Sequence, residues 1–309
     1  MAARMNLNRI DLVSLSLFSL VVRTGSISRG AELSQLALGA ASKRIADLEA
    51  ALGVVLLTRH SRGVTPTVAG TALDEHARRV LGDIEHLAAD LSDYAQGLAG
   101  IVRLWANTSS ITQFLPAELA AFAGAHPDLR IELEESDSPE TVLAVLDGRA
   151  DLGIVADRIP LLGLAMIPYR SDRLVLLVPA DHPLAAAPST RFETALDYDF
   201  VTLLRSTSLT RRLQGEADVL GKRLKVRIQV RSFEAMCHMV AAGLGIAVLP
   251  VDAIRAQLQT MAIRKIDLAD GWSQRALLLV MRDAAALARP ARSLLDHLVA
   301  PVPIGAAQR

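Results

Sequence analysis

Two short helical patterns separated by a break occupy residues 25–53, and this stretch constrains the fold of the chain more than any other. Ser26 can begin the first pattern, because a serine hydroxyl accepts a backbone N–H at a helix start, and the pattern ends near Gln35. The second runs from about residue 39 to residue 51. Its apolar residues recur every three or four positions: Ala41, Ile45, Leu48 and Leu52. This spacing predicts two helices packed around a small core.

The second pattern turns a polar and basic face away from that core. Ser42, Lys43 and Asp47 lie between the apolar positions and therefore face outward. In a helix-turn-helix, groups near the start of the second helix reach base edges and phosphates in the DNA major groove. We therefore interpret the stretch from about Ile27 to Ala46 as a DNA-binding helix-turn-helix. The alternative is an ordinary amphipathic hairpin with a solvated Lys-Arg pair.

The sequence on both sides of this stretch supports the first interpretation. An apolar helical segment precedes it at residues 11–22, and a segment that contains Arg59 and Arg62 follows it. The whole arrangement resembles the winged helix-turn-helix of LysR-type transcriptional regulators. The matching residues are Gly25, Ser26, Ala31, Glu32, Ala40, Ser42, Ile45, Leu48, Glu49, Leu52, Gly53, Leu57, Arg59, Thr67, Ala69 and Gly70.

The resemblance implies which residues contact DNA. The candidates lie in the helix-turn-helix and the wing: Ser26, Leu38, Gly39, Ser42, Lys43, Arg44, Arg59 and Arg62. The chain departs from the family pattern before the recognition helix, where Ala37-Leu38-Gly39 replaces the usual Ser-Gln-Pro/Ser. Ala37 has no side-chain oxygen to cap the helix, and Leu38 cannot make the bidentate amide contact to adenine that glutamine makes. The departure affects which bases are read, whereas the implied fold is unchanged.

Charge is distributed unevenly along a chain that is neutral overall. Residues 1–65 contain eight Lys and Arg against four Asp and Glu, a balance of +4, and the remainder carries −4. An anionic partner is therefore drawn to the N-terminal end, which favours double-stranded DNA. With 309 residues, 51% of them hydrophobic, the chain has room for about two to three packed domains.

Arg4 and Arg9 followed by apolar residues 12–22 could be taken for a secretory signal peptide. Asp11 at the start of the apolar run and the lack of a small-x-small cleavage site argue against it, and the run is shorter than the ~20 residues of a membrane span. We expect no membrane association and a cytoplasmic location. The single cysteine, Cys237, fits a reducing compartment, and without a resolving cysteine a buried filler is favoured over a redox-sensing thiol.

A long helical pattern without proline extends from residue 67 to about residue 99. Apolar residues alternate spacings of four and three along it: Leu73, Ala77, Val80, Ile84, Leu87, Leu91, Tyr94 and Leu98. A repeat of about 3.5 residues over this length is typical of a coiled coil, so we expect the helix to pair with a copy of itself. The alternative is a single helix lying on its own domain. The family resemblance also implies a dimerisation helix, and the interface candidates are Leu73, Val80, Ile84, Leu87, Leu91 and Leu98.

Strands and helices alternate from residue 101 onward, which is the pattern of an α/β domain. Ser109 or Ser110 is predicted to cap the helix after the first strand. Ser138-Pro139 is predicted to open another helix, with the serine as N-cap, and Gly148 to end it. Further along the chain, strands are predicted at residues 200–203 and 226–230.

Residues 148–154, 178–184 and 231–250 look like the effector-binding domain of LysR-type regulators. The resemblance then covers nearly the whole chain and implies two α/β lobes like those of a periplasmic solute-binding protein, with a ligand cleft between them. The expected boundaries are a winged helix-turn-helix at 1–66, a linker helix at 67–99, an effector-binding domain at 100–300 and a tail at 301–309. Within the effector-binding domain, lobe one is expected at about 101–160 and 266–300, and lobe two at about 161–265.

In two-lobed α/β domains the cleft is lined by the carboxyl ends of strands and the starts of the helices that follow. This rule selects as effector-binding candidates Asn107, Thr108, Ser109, Ser110, Thr202, Ser206 and Thr207, with Ser136 and Phe233 as further candidates. Hydroxyls and exposed N–H groups near Ser110 favour an anion, so we expect a small polar or acidic metabolite. The alternative for Ser109 or Ser110 is a helix cap alone, and such a cap would still lie at the cleft.

Catalytic motifs do not occur in the sequence. It has no P-loop, no G-x-S-x-G and no H-E-x-x-H, and its seven histidines lie too far apart to form a local metal-ligand pair. We expect no enzyme activity, no cofactor and no metal. His238 beside Cys237 is interpreted as a partly buried helix residue. Gly243-Leu244-Gly245 follows a helix and precedes a strand, the reverse of a dinucleotide-binding turn, and is interpreted as a helix C-cap.

We infer a sequence-specific DNA-binding transcriptional regulator controlled by a small-molecule effector. It would act as a homodimer or homotetramer, with RNA polymerase as a further partner. The rival from another class is a small-molecule-binding protein whose N-terminal part serves only for assembly, and the +4 balance of residues 1–65 favours DNA binding over it. A third class, a two-lobed α/β enzyme, needs a catalytic constellation that the sequence lacks. The sequence is compatible with activation and with repression.

Overall fold

The structure, a computed structural model, describes residues 10–95 and 100–299, and of these the side chains of residues 85, 86 and 88–95 are not described. The chain divides into two compact units, residues 1–97 with 147–149 and residues 98–146 with 150–309. Among the described residues, none of the helices combines the length and the apolar character that crossing a bilayer requires.

The first unit is a helix-turn-helix with a β-hairpin wing. Its described elements are α1 (Leu12–Thr24), α2 (Ile27–Leu33), α3 (Leu38–Leu52), β1 (Leu57–His60), β2 (Gly63–Pro66) and α4 (Val68–Ala95). The two strands pair antiparallel. The core forms where the apolar faces of the first three helices meet, with Phe18, Val21, Ala41, Ile45 and Leu48 all buried. The winged helix-turn-helix predicted from the sequence is confirmed.

The second helix of the helix-turn-helix has the length expected from its spacing. The motif interpreted at about Ile27 to Ala46 begins at the first residue of α2 and includes the first nine residues of α3. Helix α3 then continues to Leu52, which agrees with the predicted end near residue 51. It ends where Gly53 adopts a φ of +69°, a left-handed conformation that glycine reaches without strain.

Short-range contacts fix the helix-turn-helix geometry. The Ser26 hydroxyl caps α2 by accepting the Arg29 backbone N–H at 3.3 Å. Ala37 gives α3 no side-chain cap, as its lack of an oxygen predicts. Gly30 allows α1 and α2 to pack closely, since a Cβ there would lie 2.5 Å from Cγ2 of Val21.

Two glycines hold the wing against the helices. The Val64 N–H donates to the Gly25 carbonyl at 2.9 Å, and Gly63 next to it has a φ of +137°. A Cβ at Gly63 would lie 2.3 Å from the Gly25 carbonyl oxygen, so a side chain there would push the wing away. The start of α4 is fixed in the same way by Gly70, where a Cβ would lie 2.1 Å from the Leu56 carbonyl oxygen.

The second unit is a two-lobed α/β structure. Its described strands are β3 (Gly100–Ala106), β4 (Leu129–Glu135), β5 (Leu152–Ala156), β6 (Ala165–Pro179), β7 (Ser189–Thr190), β8 (Phe200–Leu203), β9 (Val226–Val230), β10 (Ala247–Pro250), β11 (Ile263–Leu268) and β12 (Gln274–Met281). Its described α-helices are α5 (Thr108–Gln113), α6 (Leu115–Ala125), α7 (Ser138–Leu146), α8 (Phe192–Ala195), α9 (Ser208–Val219), α10 (Phe233–Ala241), α11 (Arg255–Thr260) and α12 (Arg289–Val299).

One continuous sheet joins the lobes in the order β4-β3-β5-β12-β6-β11-β7, and β10 also pairs with β6. Strand β3 is parallel to β4 and β5, so their carboxyl ends meet at one edge of lobe one. Strands β8 and β9 form a parallel pair in lobe two. The Val201 N–H donates to the Ile246 carbonyl at 2.8 Å and connects this pair to the segment that leads into β10.

Strand β6 passes through both lobes, which moves the predicted lobe boundaries. Up to Arg173 it pairs with β12, and from Leu174 onward it pairs with β10 and β11. The lobe-two core contains Ile266, Leu268 and Trp272, whereas the boundaries expected from the sequence place all three in lobe one. Lobe two therefore begins near residue 174 and lobe one resumes near residue 274. A strand has hydrogen-bonding groups on both edges along its whole length, so one strand can serve two lobes without a break.

Candidate nucleic-acid interface and ligand cavity

The first half of α3 presents an open face to solvent. Leu38, Gly39 and Lys43 are exposed and Ser42 is partly exposed. A Cβ at Gly39 would meet no atom within 4 Å, so this face can approach another surface closely. The apolar side of the same helix is buried in the core, as its spacing predicts. In helix-turn-helix proteins, the N-terminal residues of the recognition helix contact base edges, and this exposed face of α3 has the position that such contacts require.

Arg44, a predicted DNA-contacting residue, does not belong to this open face of α3. Its Nη1 is 3.1 Å from Oδ2 of Asp11 and 3.1 Å from Oγ of Ser14, so the side chain connects α3 to the start of α1. Asp11 caps α1, and the Ser14 backbone N–H, with help from Arg44, lowers the pKa of the Asp11 carboxyl. Successive helical residues point about 100° apart, and for this reason Lys43 and Arg44 face different surroundings.

The other predicted DNA contacts lie on exposed surface or at a helix start. Arg59 on β1 and Arg62 in the turn after it are both exposed. The Ser26 hydroxyl serves as the α2 cap and remains partly exposed. Arginines on a wing are suited to phosphate contacts, because the guanidinium binds two phosphate oxygens at once.

The linker helix α4 carries an exposed apolar row. Val80, Ile84 and Leu87 are 45%, 42% and 53% exposed. Leu73 instead is partly buried against the helix-turn-helix core, so its side chain supports the domain of its own chain. The side chain of Leu91 and the whole of Leu98 lie outside the described residues. Large exposed apolar side chains at coiled-coil spacing suit a second copy of the helix.

A cavity of about 410 Å³ lies between the two lobes of the second unit. It is found at the carboxyl ends of β3 and β4 in lobe one and of β8 and β9 in lobe two, the place where open α/β sheets bind ligands. Six of the nine predicted effector-binding residues line it: Asn107, Thr108, Ser109, Ser136, Ser206 and Thr207.

The other three predicted residues are buried away from the cavity lining. Ser110 is fully buried, and its hydroxyl donates to Oδ1 of Asn107 at 3.0 Å. Thr202 is inside β8, where side chains alternate between the faces of the strand, and it does not reach the cavity at the strand end. Phe233 is part of the lobe-two core. A position at or after a strand end therefore does not by itself place a side chain on the cavity, since Ser110 and Phe233 both follow strands and are buried.

Two helix caps differ from those predicted. Asn107, and neither Ser109 nor Ser110, caps α5 by accepting the Ser110 N–H at 3.0 Å. The Nδ2 atom of Asn107 is then buried without a hydrogen-bond partner in the part of the chain that the structure describes. At α7 the carboxylate of Asp137 accepts the Glu140 N–H at 3.2 Å. Asn107 lies two residues before Ser109 and Asp137 lies one residue before Ser138, and a serine pattern alone does not distinguish these capping positions.

Sequence reasoning missed seven lining residues: Glu135, Asp137, Leu203, Leu204, Ser208, Leu209 and Arg231. Glu135 accepts a hydrogen bond from the Thr108 hydroxyl at 2.6 Å. Arg231 follows β9 directly, and it has no ion-pair partner among the described residues. Both could have been found from the strand ends, since Glu135 ends β4 and Arg231 comes after Val230.

A buried ion pair supports the floor of the cavity. Arg275 on β12 donates to Oγ of Ser109 at 2.7 Å and to Oδ1 of Asp172 on β6 at 2.7 Å. Gln113 at the end of α5 donates to the same carboxylate at 3.1 Å. Strands β6 and β12 and the cavity-lining helix α5 are thus connected through one network of charged and polar groups.

The thiol of Cys237 has the character of a core group. It is fully buried, and burial raises its pKa to about 11, so it is protonated near neutral pH. This supports the predicted filler role over a reactive thiolate. His238 beside it is exposed, which corrects the prediction of a partly buried residue. Gly243 ends the helix with a φ of +72°, as the predicted C-cap requires.

A winged helix-turn-helix followed by a two-lobed ligand-binding unit is the architecture of a transcriptional regulator that responds to a small molecule. The family profile "Bacterial regulatory helix-turn-helix protein, lysR family" matches residues 12–71, and the profile "LysR substrate binding domain" matches residues 95–301. The chain belongs to the LysR family: it is a DNA-binding transcriptional regulator with an effector-binding domain.

Individual relatives agree with this assignment. A probable RuBisCO transcriptional regulator of Synechocystis sp. is 27% identical over 256 residues, which cover 80% of this chain and 74% of the relative. The fold matches full-length CbnR, solved with its target DNA, with a TM-score of 0.60 and 20% identity over 94% of this chain and 99% of that one. It also matches the regulatory domain of Synechocystis CcmR, solved in complex with 2-PG, with a TM-score of 0.59 and 22% identity over 64% of this chain and 95% of that domain. The relatives are described as regulators and not as enzymes.

Proposed function

We propose that the effector is a small hydroxylated carboxylic acid bound in the cavity between the lobes. The observation that carries this proposal is the unequal chemistry of the two cavity walls. Lobe two offers a cation and a helix start, whereas lobe one offers hydroxyls, an amide donor and two carboxylate acceptors, Glu135 and Asp137. A ligand that matches both walls has an anionic end and hydroxyl groups.

Lobe two is suited to the carboxylate. The 12-residue helix α9 begins at the cavity, where Thr207 caps it and where Ser208 and Leu209 are lining residues. Free backbone N–H groups and the helix dipole favour an anion at this position. Arg231 lines the same wall and, being unpaired among the described residues, supplies a full positive charge.

Lobe one is suited to hydroxyl groups. The buried Nδ2 of Asn107 is a donor without a partner among the described residues, and an unsatisfied buried donor is costly. Glu135 and Thr108 provide an acceptor and a hydroxyl on the same wall. An unsubstituted carboxylate without hydroxyls would leave the Glu135 charge facing an apolar group. The complex of the CcmR regulatory domain with 2-PG supports small-molecule binding by this type of domain.

The remaining parts of the proposal concern assembly and location. The exposed row of Val80, Ile84 and Leu87 pairs with the same row of a second chain, so the working unit is a homodimer or a dimer of dimers that places two recognition helices on DNA. The regulator acts in the cytoplasm, as a binding protein and without catalysis, and RNA polymerase is the further partner through which bound DNA alters transcription.

Two variants separate the walls of the cavity. Arg231→Gln should weaken binding of acids in general, whereas Glu135→Gln should reduce the preference for hydroxylated over unsubstituted acids. Arg227→Gln is the matched control, because Arg227 is an exposed arginine on β9 whose nearest carboxylate, that of Asp199, is 3.8 Å away and which does not line the cavity.

The measurement is footprinting of the region upstream of the chain's own gene, with a panel of hydroxylated acids, the corresponding unsubstituted acids and the corresponding amides. Binding to DNA without ligand should be the same in the wild type and the variants. An unchanged acid response in Arg231→Gln would show that the anionic end does not bind at this wall. An equal response of the wild type to acids and amides would rule out an acid effector.

A further inference from the structure

A second cavity of about 430 Å³ lies between the lobes on the other side of the start of α9. Lobe one contributes Pro139 and residues 156–160, lobe two contributes the exposed side of α9, and Arg275 closes it on the β12 side. Ser208 lines both cavities, and their other lining residues differ. The family resemblance and the proposed effector leave this second cavity without a role.

Arg212 on α9 brings an unsatisfied guanidinium edge to this cavity. Its side chain is 9% exposed, and its Nη1 donates to Oδ1 of Asp157 at 2.6 Å. Its Nε and Nη2 are buried and have no hydrogen-bond partner in the described chain. These two atoms form one edge of the planar guanidinium, and the two parallel N–H groups of such an edge match the two oxygens of a carboxylate.

The other lining groups define what kind of anion fits. Arg275 is neutralised by Asp172, and Arg211 lies 4.0 Å from the carboxylate of Asp137, so Arg158 and Arg212 remain against Asp157 and Glu216. These four groups balance, so the lining offers no excess charge for a multiply charged anion, and a single carboxylate binds through the unpartnered edge of Arg212.

Part of the lining is apolar and consists of Pro139, Ile159, Pro160 and Val219. A strongly hydrated anion such as phosphate would lose its water against this surface, whereas an apolar body would gain from burial.

From this geometry we infer a second ligand site for a monocarboxylate with a compact apolar body, whose carboxylate binds Nε and Nη2 of Arg212. Such a ligand touches lobe one through Pro139 and Ile159 and lobe two through Arg212 and Val219. It therefore bridges the lobes beside the existing links, the Arg212–Asp157 pair and the Arg158–Glu216 pair at 3.2 Å.

The test is isothermal titration of the full-length protein with cyclohexanecarboxylate. Cyclohexanecarboxamide, which lacks the charge, and inorganic phosphate, which lacks the apolar body, serve as comparison probes. The expected result is saturable binding of the carboxylate and binding of the two comparison probes that is at least about tenfold weaker, the factor that one hydrogen bond to a charged group contributes. The Arg231→Gln variant should bind cyclohexanecarboxylate as the wild type does, which separates this site from the proposed effector cavity.

Two pairs of variants locate the binding. Arg212→Lys keeps the charge but removes the two-nitrogen edge, and Arg227→Lys is its control, because Arg227 is exposed on β9 and does not line this cavity. Gly215→Leu fills the cavity, since a Cβ at Gly215 would meet no atom within 4 Å and the change is compatible with the helix. Gly124→Leu on α6 is the control, because a Cβ there also meets no atom within 4 Å.

Arg212→Lys should weaken binding of cyclohexanecarboxylate by at least about tenfold, and Gly215→Leu should abolish it, while both controls bind as the wild type does. Circular dichroism checks that each variant is folded, and Gly215→Leu carries the test if Arg212→Lys is not. Absence of saturable binding in the wild type, equal affinity for the carboxamide or for phosphate, or wild-type affinity in Gly215→Leu would each overturn the inference.

Discussion

The buried ion pair of Asp172 and Arg275 offers a quantitative test of what holds strands β6 and β12 together. The two residues face each other across β6 and β12, and their side chains are 0% and 1% exposed. Nε of Arg275 donates to one carboxylate oxygen at 2.7 Å and Nη2 donates to the other, so the contact is bidentate. Arg275 also donates to Ser109, and Asp172 also accepts from Gln113.

Breaking the pair and replacing the pair should have different costs. Asp172→Asn leaves the Arg275 guanidinium buried without a counter-charge, which should lower the free energy of unfolding by about 3–5 kcal/mol. The double variant Asp172→Leu with Arg275→Met removes both charges. It loses only the hydrogen bonds to Ser109 and Gln113, at about 1 kcal/mol each, and gains apolar packing. We therefore expect the double variant to be more stable than Asp172→Asn by at least about 1–2 kcal/mol.

The two tryptophans of the chain provide the assay. Trp105 and Trp272 both lie in the second unit, so tryptophan fluorescence follows the unfolding of that unit within the full-length protein. Urea titration then gives the free energy of unfolding from the midpoint and slope. A cost below about 1 kcal/mol for Asp172→Asn, or a double variant as unstable as the single one, would refute the reasoning that the uncompensated charge dominates.

Two further predictions concern DNA binding and assembly. Lys43→Ala should weaken operator binding and, if Lys43 contacts a phosphate, reduce the slope of log affinity against log salt by about one unit. Arg44→Ala should leave that slope unchanged and lower the stability of the domain, because the Arg44 guanidinium binds Asp11. A filter-binding salt series on a footprinted operator measures both, and equal slope changes would contradict the assignment of Arg44. Asp at both Ile84 and Leu87 would place four like charges in the dimer interface, so sedimentation should show a monomer that no longer binds operator, and an unchanged dimer would place the interface elsewhere.

The sequence predicted well those features that depend on neighbouring residues. Helix α3 and its buried side follow from a repeat within 15 residues, and the α2 cap follows from Ser26 and the N–H three residues later. Strands β8 and β9 were predicted at their observed ends, because apolar runs bounded by polar residues are short-range signals. The cavity position also followed, since it depends on the order of strands and helices and not on side-chain detail.

Features that depend on distant pairing were not predictable in the same way. Arg44 meets Asp11 across 33 residues, and Asp172 meets Arg275 across 103. A spacing pattern shows which side of a helix is polar but not which polar group will meet a partner. The predicted lobe boundaries differ from the observed ones for the same reason. The pairing of β6 with strands of both lobes depends on how the sheet assembles and not on the local sequence.

The two proposed ligand sites share helix α9, and this makes their coupling measurable. Ser208 lines both cavities, and Arg212 one turn later holds the second ligand. Both ligands bridge the same two lobes, so each binds best at one separation of the lobes. If both prefer the same separation, each should raise the affinity for the other, and equilibrium linkage requires the two factors to be equal. Titration of a hydroxylated acid with and without saturating cyclohexanecarboxylate gives one factor, and the reverse order gives the other. Equal factors above one would establish coupling through the lobes. Factors of one in both orders, with both ligands bound, would show that the lobes are already fixed at a single separation before either ligand binds.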